Sequence, residues 1–388
     1  MLSVSLLLSI IGCGKKDLTA ISQPTDTKPE NSEEITETTT PPIQLVQPNG
    51  SYAKAPLEKE VVTLAVIQSN AESIKDIAKA HEIKMGNVNH MIEMGKKACA
   101  MDKKPDIILY HEFPLSGYIY GERDDKWKMA IEIPGAETDA LAEFAKSCDA
   151  YVIFGAYAKD KDWPKHILSI NTIIDRNGEI RKKVWKPRNI KRFYPTFEIS
   201  TTTVESVQKE FRARYGIDDE FPVVQTEFGN IAVSTAQLDP LVFAAFAMKG
   251  TEIMLRTSTL FFQHDIIYTA MINNFYTAMS NIPYDSPYGG QSIIVAPNGS
   301  IMGQVESKTE EGIAVAEIPI AKFRKNRRLS QYSIAFTQSV FSQYLEEIPP
   351  DHLSLPPQNL PKDGKEMKIL LDKKSRWLNA AAEDETAQ

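Results

Sequence analysis

From residue 61 onward the chain alternates between two hydrophobic patterns. Short continuous apolar runs, VVTLAVIQ at 61–68, DIILY at 106–110, YVIFGAY at 151–157 and ILSINTIID at 167–175, have the length and composition of buried strands. Between them, Val88, Met91, Ile92, Gly95, Ala98 and Cys99 recur at spacings of three and four, which predicts an amphipathic helix over 87–100. A second helix is predicted over 138–147. Arg176-Asn177-Gly178 closes the fourth strand as a turn and leads into EIRKKVWKPRN. Residues 199–220 are polar and read as a partly helical excursion. Then come a short strand at Ile231, Ala232 and Val233, a helix over 241–248, the apolar run TEIMLRTST, and a helix across 266–279. GGQSIIVAPNGSIMGQV places a Pro297-Asn298-Gly299 turn between two strands, and IAVAEI ends the series at 313–318. Strands and helices in alternation predict a layered α/β architecture with helices covering sheets.

The two ends carry other patterns. MLSVSLLLSIIGC, the first thirteen residues, is too short to cross about 30 Å of hydrocarbon as a helix and reads as the apolar core of a signal segment, although no Lys or Arg precedes it. Its IIGC resembles the bacterial lipobox, in which the cysteine, here Cys13, is lipidated and anchors the chain to a membrane. A buried N-terminal strand ending in a free thiol is the competing reading. Residues 14–60 are rich in Thr, Pro and Glu without any period, and are expected to form a disordered stalk. The folded domain is expected over 61–325 and an extension over 326–388, helical across 323–344, broken by prolines at 349–361 and disordered at its end. Together these features predict a lipid-anchored protein of the bacterial cell envelope, facing the periplasm or exterior.

Composition changes this picture only by exclusion. With 42% hydrophobic residues the chain can bury a large core, and a net charge of -7 without any basic, aromatic-laced patch argues against a nucleic-acid partner. None of the six histidines has metal-ligand spacing and no glycine-rich phosphate loop occurs, so neither metal nor cofactor is expected.

The candidate chemistry sits at strand ends. GNIAVSTAQLDP, at 229–240, is a strand running through a sharp bend into a helix. That arrangement exposes a side chain while the N–H groups at the helix start can receive an oxyanion. The bend offers Ser234, Thr235 and Ala236, and no cysteine. Glu112 follows the second buried strand, where a carboxylate is rarely a core residue.

The order of segments resembles the carbon-nitrogen hydrolase superfamily of nitrilases and amidases over about residues 61–325. The resemblance rests on LAVIQSN, PDIILYHEFPLSGY, IPGAETDALAEFAKSCDAYVIFGAY, NTIIDRNGEIRKKVWK and SIIVAPNGSIMGQV together. AMKGTEIMLR and SPYGGQSIIV look most like the aliphatic amidase branch. It implies a four-layer α-β-β-α sandwich, dimeric or larger through helix packing, with a Glu-Lys-Cys triad. Glu112 then falls at the general base and Lys186 at the oxyanion-stabilising lysine, unless the two form an ordinary ion pair. The cysteine's place is taken by Ala236 when counted from GNIAV, or by Ser234 when counted back from Pro240, the segment being about two residues shorter.

Without a thiol the mechanism changes. A cysteine of pKa near 8.5 is readily brought to the thiolate by a neighbouring cation, whereas a serine hydroxyl is a far weaker acid and threonine adds crowding. The expectation is a tethered homo-oligomer that keeps the fold and binds a small amide or carboxylate without covalent chemistry. The alternative is an active amide hydrolase with Ser234 or Thr235 as nucleophile. Cys99 and Cys148 lie on predicted helices that are neighbours in the resembled fold. Export permits a disulfide between them, but free buried thiols are the expectation. The C-terminal extension resembles tails that wrap a neighbouring subunit in some amidases.

Overall fold

The computed structural model describes residues 51–190, 197, 199–327 and 332–376. The signal segment, Cys13, the stalk up to residue 50 and the last twelve residues lie outside them.

In chain order the elements are β1 (Val62–Gln68), α1 (Ala80–Cys99), β2 (Ile107–Leu109), α2 (Arg123–Met129), α3 (Ala136–Cys148), β3 (Tyr151–Ala158), β4 (Leu168–Ile174) and β5 (Ile180–Trp185). They continue with α4 (Gln208–Tyr215), β6 (Val224–Thr226), β7 (Gly229–Ser234), α5 (Pro240–Met248), β8 (Ile253–Ser258), α6 (Gln263–Asn273) and β9 (Tyr276–Asn281). The last are β10 (Ile293–Val295), β11 (Ile301–Gln304), β12 (Gly312–Ile318), α7 (Ile320–Asn326), α8 (Ile334–Phe341) and α9 (Gly364–Lys374).

The strands form two six-stranded sheets, ordered β12-β1-β2-β3-β4-β5 and β11-β10-β9-β8-β7-β6. Each has a parallel trio at its centre, β1-β2-β3 in one and β7-β8-β9 in the other, flanked by antiparallel strands. Strand alternation divides the cores. Leu64 and Val66 of β1 meet Ile253 and Leu255 of β8 between the sheets. Ala65 and Ile67 face Val88 and Met91 of α1 and Leu141 of α3, while Met254 faces Phe243 and Phe246 of α5, and Ile266 of α6 packs on Ile293 and Val295. The result is helix, sheet, sheet, helix, and central strands buried on both faces read as unbroken apolar runs.

Three expectations are corrected. The helix expected to run to residue 279 ends at Asn273, because Asn274 turns left-handed (φ 49°), a conformation asparagine tolerates better than most residues. The segment that follows is β9, whose Ala278 faces the inter-sheet core and Met279 the α6 side. The thiols of Cys99 and Cys148 are not free: α1 and α3 end side by side with these Cα atoms 6.1 Å apart, and the two form a disulfide. Residues 51–60, assigned from sequence to the stalk, lie on the folded body. Tyr52 donates to Glu252 (3.0 Å), Asn230 donates to the Ala53 carbonyl (2.7 Å) and the Glu58 N–H donates to the Glu227 carbonyl (3.0 Å).

Two helices, α2 and α9, carried no sequence prediction. The second starts where Asp363 accepts from the Glu366 N–H. Its Met367 and Leu371, with Ile348, Leu353 and Leu360, join the core beneath α1 and α3, so this part of the extension returns to its own domain. By contrast α8 buries none of its residues and exposes Ile334, Phe336, Val340 and Phe341.

Candidate functional site

Glu112 is placed by the continuation of β2 beyond its last ladder residue. The Tyr110 N–H donates to the Ile153 carbonyl and the Gly155 N–H to that of His111, so the backbone before Glu112 runs tight against β3. Residue 155 must be glycine for this, since a Cβ there would lie 2.4 Å from the Glu112 carbonyl oxygen. Lys186 extends β5, its N–H bonded to the Ser169 carbonyl (2.9 Å). Two strand ends of the first sheet thereby bring the Lys186 ammonium to 3.2 Å from Glu112 Oε1, both side chains being nearly buried.

The second sheet completes the carboxylate's shell. Thr259, one residue past β8, donates to Glu112 Oε2 (2.7 Å), so both oxygens are engaged. Tyr118 shares a hydrogen bond with Thr259; burial pushes its phenol up to about 12, the Thr259 bond opposes that rise and the Glu112 charge adds to it. Phe113 stacks on Tyr157 at 3.7 Å, and burial, reinforced by Glu112, holds the Tyr157 phenol well above its ordinary range. The Lys186 ammonium lies 5.7 Å from the centre of the Phe197 ring, within cation–π range.

The bend after β7 is held through its backbone. Arg256 Nη2 donates to the Ala236 carbonyl (2.6 Å) and to Asp265 Oδ2 (2.9 Å), and the same carboxylate oxygen accepts from the Leu238 N–H (3.3 Å). Leu238 itself is left-handed (φ 52°). The Arg256 guanidinium is fully buried between the rings of Phe243 (3.9 Å) and Phe261 (4.7 Å). At the helix start Asp239 caps α5 through the Val242 N–H and meets Arg188, two residues past Lys186, at 3.2 Å. Between the sheets, Thr257 of β8 donates to Asn171 of β4 (2.6 Å).

Among the four predicted positions, Glu112 and Lys186 are in direct contact. Ser234 and Ala236 contact each other, the Ala236 N–H donating to Ser234 Oγ (3.1 Å), and Ala236 packs with Val242, Phe243 and Phe246 on the helix side. Thr235 Oγ1 is buried and has no hydrogen-bond partner among the described residues. Sequence reading missed Thr259, Arg256 and Asp265; the first two lie within or just past an apolar run, where a polar side chain in a buried strand is the available signal. Among the described residues no group of three or more His, Cys, Asp or Glu is placed to hold a metal ion.

The fold has solved counterparts. A double mutant of the amidase from Nesterenkonia sp. AN1 in complex with acrylamide is 15% identical, with TM-score 0.53, covering 74% of this chain and 100% of that one. A mutant of the same amidase in complex with butyramide is 15% identical, with TM-score 0.52, covering 78% and 100%. A third structure shows the acetamide moiety of fluoroacetamide added covalently at that amidase's active site cysteine; it is 14% identical, with TM-score 0.52, covering 73% and 97%. Residues 63–328 match the carbon-nitrogen hydrolase family as a sequence. With the two sheets, the paired Glu112 and Lys186 and that match over more than half its length, the chain belongs to the carbon-nitrogen hydrolase family.

Proposed function

We propose that this chain is an amidase-like binding protein, tethered to a membrane, that takes a small amide or carboxylate at Glu112 and Lys186 without covalent thiol chemistry. One observation carries the reading: the bend after β7 offers Ser234, Thr235 and Ala236, and the two cysteines of the described domain are joined to each other. The Nesterenkonia amidase, by contrast, has an active site cysteine that is alkylated by an amide analogue. A thiolate is a strong nucleophile at neutral pH and a hydroxyl is not. Glu112 can accept from an amide N–H and Lys186 donate to a carbonyl or carboxylate oxygen, contacts strengthened by charge.

The experiment is ammonia release from formamide, acetamide and longer amides, beside a thermal-shift titration with acetamide and acetate. Stabilisation without turnover, abolished by Glu112→Gln, is expected. Wild-type turnover that disappears in Ser234→Ala or Thr235→Ala would overturn the binding reading. Thr235 is the better-supported nucleophile of the alternative, since its buried hydroxyl lacks a partner among the described residues. Appearance of turnover in Ala236→Cys or Ser234→Cys identifies the position the thiol once held.

The tether rests on Cys13 and the lipobox-like IIGC. The disulfide supports export, because such bonds persist in oxidising compartments. Fractionation of cells expressing wild type and Cys13→Ser decides it; equal solubility refutes the anchor. Homo-oligomerisation is supported by the apolar residues left exposed on α8 and by Tyr268, Met271 and Ile272 of α6.

A further inference from the structure

The chain holds a cavity of about 290 Å³ on the face of β4 and β5 turned away from the inter-sheet core. Its floor is Leu168, Ile170 and Trp185, and α4 walls it with Phe211 and Tyr215. Trp185 immediately precedes Lys186, and neighbours along a strand point to opposite faces, so this space is separate from the Glu112 site. Its volume is at the low end for ligand sites, which run from about 300 Å³. Only a small molecule fits.

The rim is unlike the floor. Lys159, Arg181, Lys182 and Lys183 stand there against Asp160 and Asp219, four cations to two carboxylates, in a chain of net charge -7. Each of the four has a carboxylate partner. Lys182 contacts both oxygens of Asp219 at 2.7 and 2.8 Å, while Arg181 and Lys159 have Asp175 and Glu132 at 3.6 Å. Lys183, on the same face of β5 as Trp185, is held at long range as well: its ammonium reaches the Ile133 carbonyl and Asp160 at 3.4 Å each, beyond the usual 2.7–3.2 Å range, and it carries three donors. In the same lining the Tyr215 hydroxyl accepts from Trp163 Nε1 (2.9 Å), which leaves its own proton to donate.

We propose that this cavity is a second ligand site, taking a small carboxylate with an apolar or aromatic body. The body lies on Trp185 and against Phe211, and the carboxylate accepts from Lys183 and Tyr215. An amide, lacking the charge, is excluded in favour of the acid.

The probe is phenylacetate, with phenylacetamide as its uncharged counterpart, titrated calorimetrically into the full chain. Saturable binding of the acid is expected, weakened about tenfold or more by Lys183→Met, as fits the loss of a charge-assisted bond. Tyr215→Phe, which keeps the wall, weakens it less, and Glu112→Gln leaves it unchanged. Absence of saturation, equal binding of the amide, or indifference to Lys183→Met overturns the site. Binding lost in Glu112→Gln and kept in Lys183→Met also overturns it, by moving the ligand to the Glu112 and Lys186 pair. Because the two variants separate the sites, failure here is distinguishable from failure of the amide-binding reading.

Discussion

At the end of the sandwich where strand ends converge, the two sheets contribute unequally. The first supplies a charged pair, Glu112 and Lys186, with each carboxylate oxygen engaged. The second supplies a bend with small side chains, one of whose hydroxyls, on Thr235, has no partner among the described residues. Yet that bend is the more heavily braced of the two, since Arg256 and Asp265 grip the Ala236 carbonyl and the Leu238 N–H. These are backbone atoms. The side chains at 234–236 add only the Ser234 Oγ bond to the Ala236 N–H and the packing of Ala236 to this backbone brace.

Removing the brace tests this most severely. Asp265→Ala leaves the Arg256 guanidinium buried without its carboxylate and should cost about 3–5 kcal/mol, read as a fall in the urea midpoint. Adding Arg256→Met should recover part of that loss; a single-variant loss under about 1 kcal/mol means that the packing of Phe243 and Phe261, not the ion pair, holds the bend.

The helices that cover the first sheet have a covalent brace instead. Cys99→Ala with Cys148→Ala opens a cross-link spanning 49 residues, for which chain entropy gives about 4 kcal/mol and practice about 2–4. Thermal unfolding of wild type with reductant should approach that of the double variant, and the double variant should not respond to reductant at all.

Acid should also act on the first half. Burial lowers His111, next to Glu112, to about 3, and burial aided by Arg123 lowers His166 to about 4, both from 6.5. The unfolded chain takes up these protons first, so the stability each neutral ring confers is complete above about pH 6.5 and is lost as pH falls toward 4 and 3. At pH near 4.5 the loss is of the order of 2 kcal/mol for each ring. His166→Asn should flatten the fall in urea midpoint between neutral pH and that point; an unchanged slope refutes the assignment.

The smallest effects sharpen the contrast between two hydroxyls. Thr259→Val removes a bond to a carboxylate and should cost about 1.5–3 kcal/mol. Thr235→Val removes a buried hydroxyl without a partner among the described residues and should be neutral or stabilising by up to about 1 kcal/mol. A loss at Thr235 comparable to that at Thr259 would reveal a partner for its hydroxyl.

What the sequence determined by itself was local. Unbroken apolar runs named β1, β3 and β4 because both faces of those strands are covered. Glu112 and the 234–236 bend were legible because polar residues at the ends of such runs have few structural uses, while Lys186 was singled out only by the family resemblance. The same local logic failed at β9, where an apolar spacing that continues from α6 is interrupted by the single left-handed Asn274.

Apart from the pairing of Glu112 with Lys186, which the family resemblance implied, what joins distant residues waited for the tertiary structure. The Thr259 bond crosses 147 positions to Glu112, and Tyr52 crosses 200 to reach Glu252. Cys99 and Cys148 could be placed on helices from the sequence, but their pairing depends on α1 and α3 ending side by side. The physical reason is that backbone periodicity shows which face a residue occupies, while the partner on that face is chosen by how sheets and helices stack. Pattern along one chain carries the first kind of information and not the second.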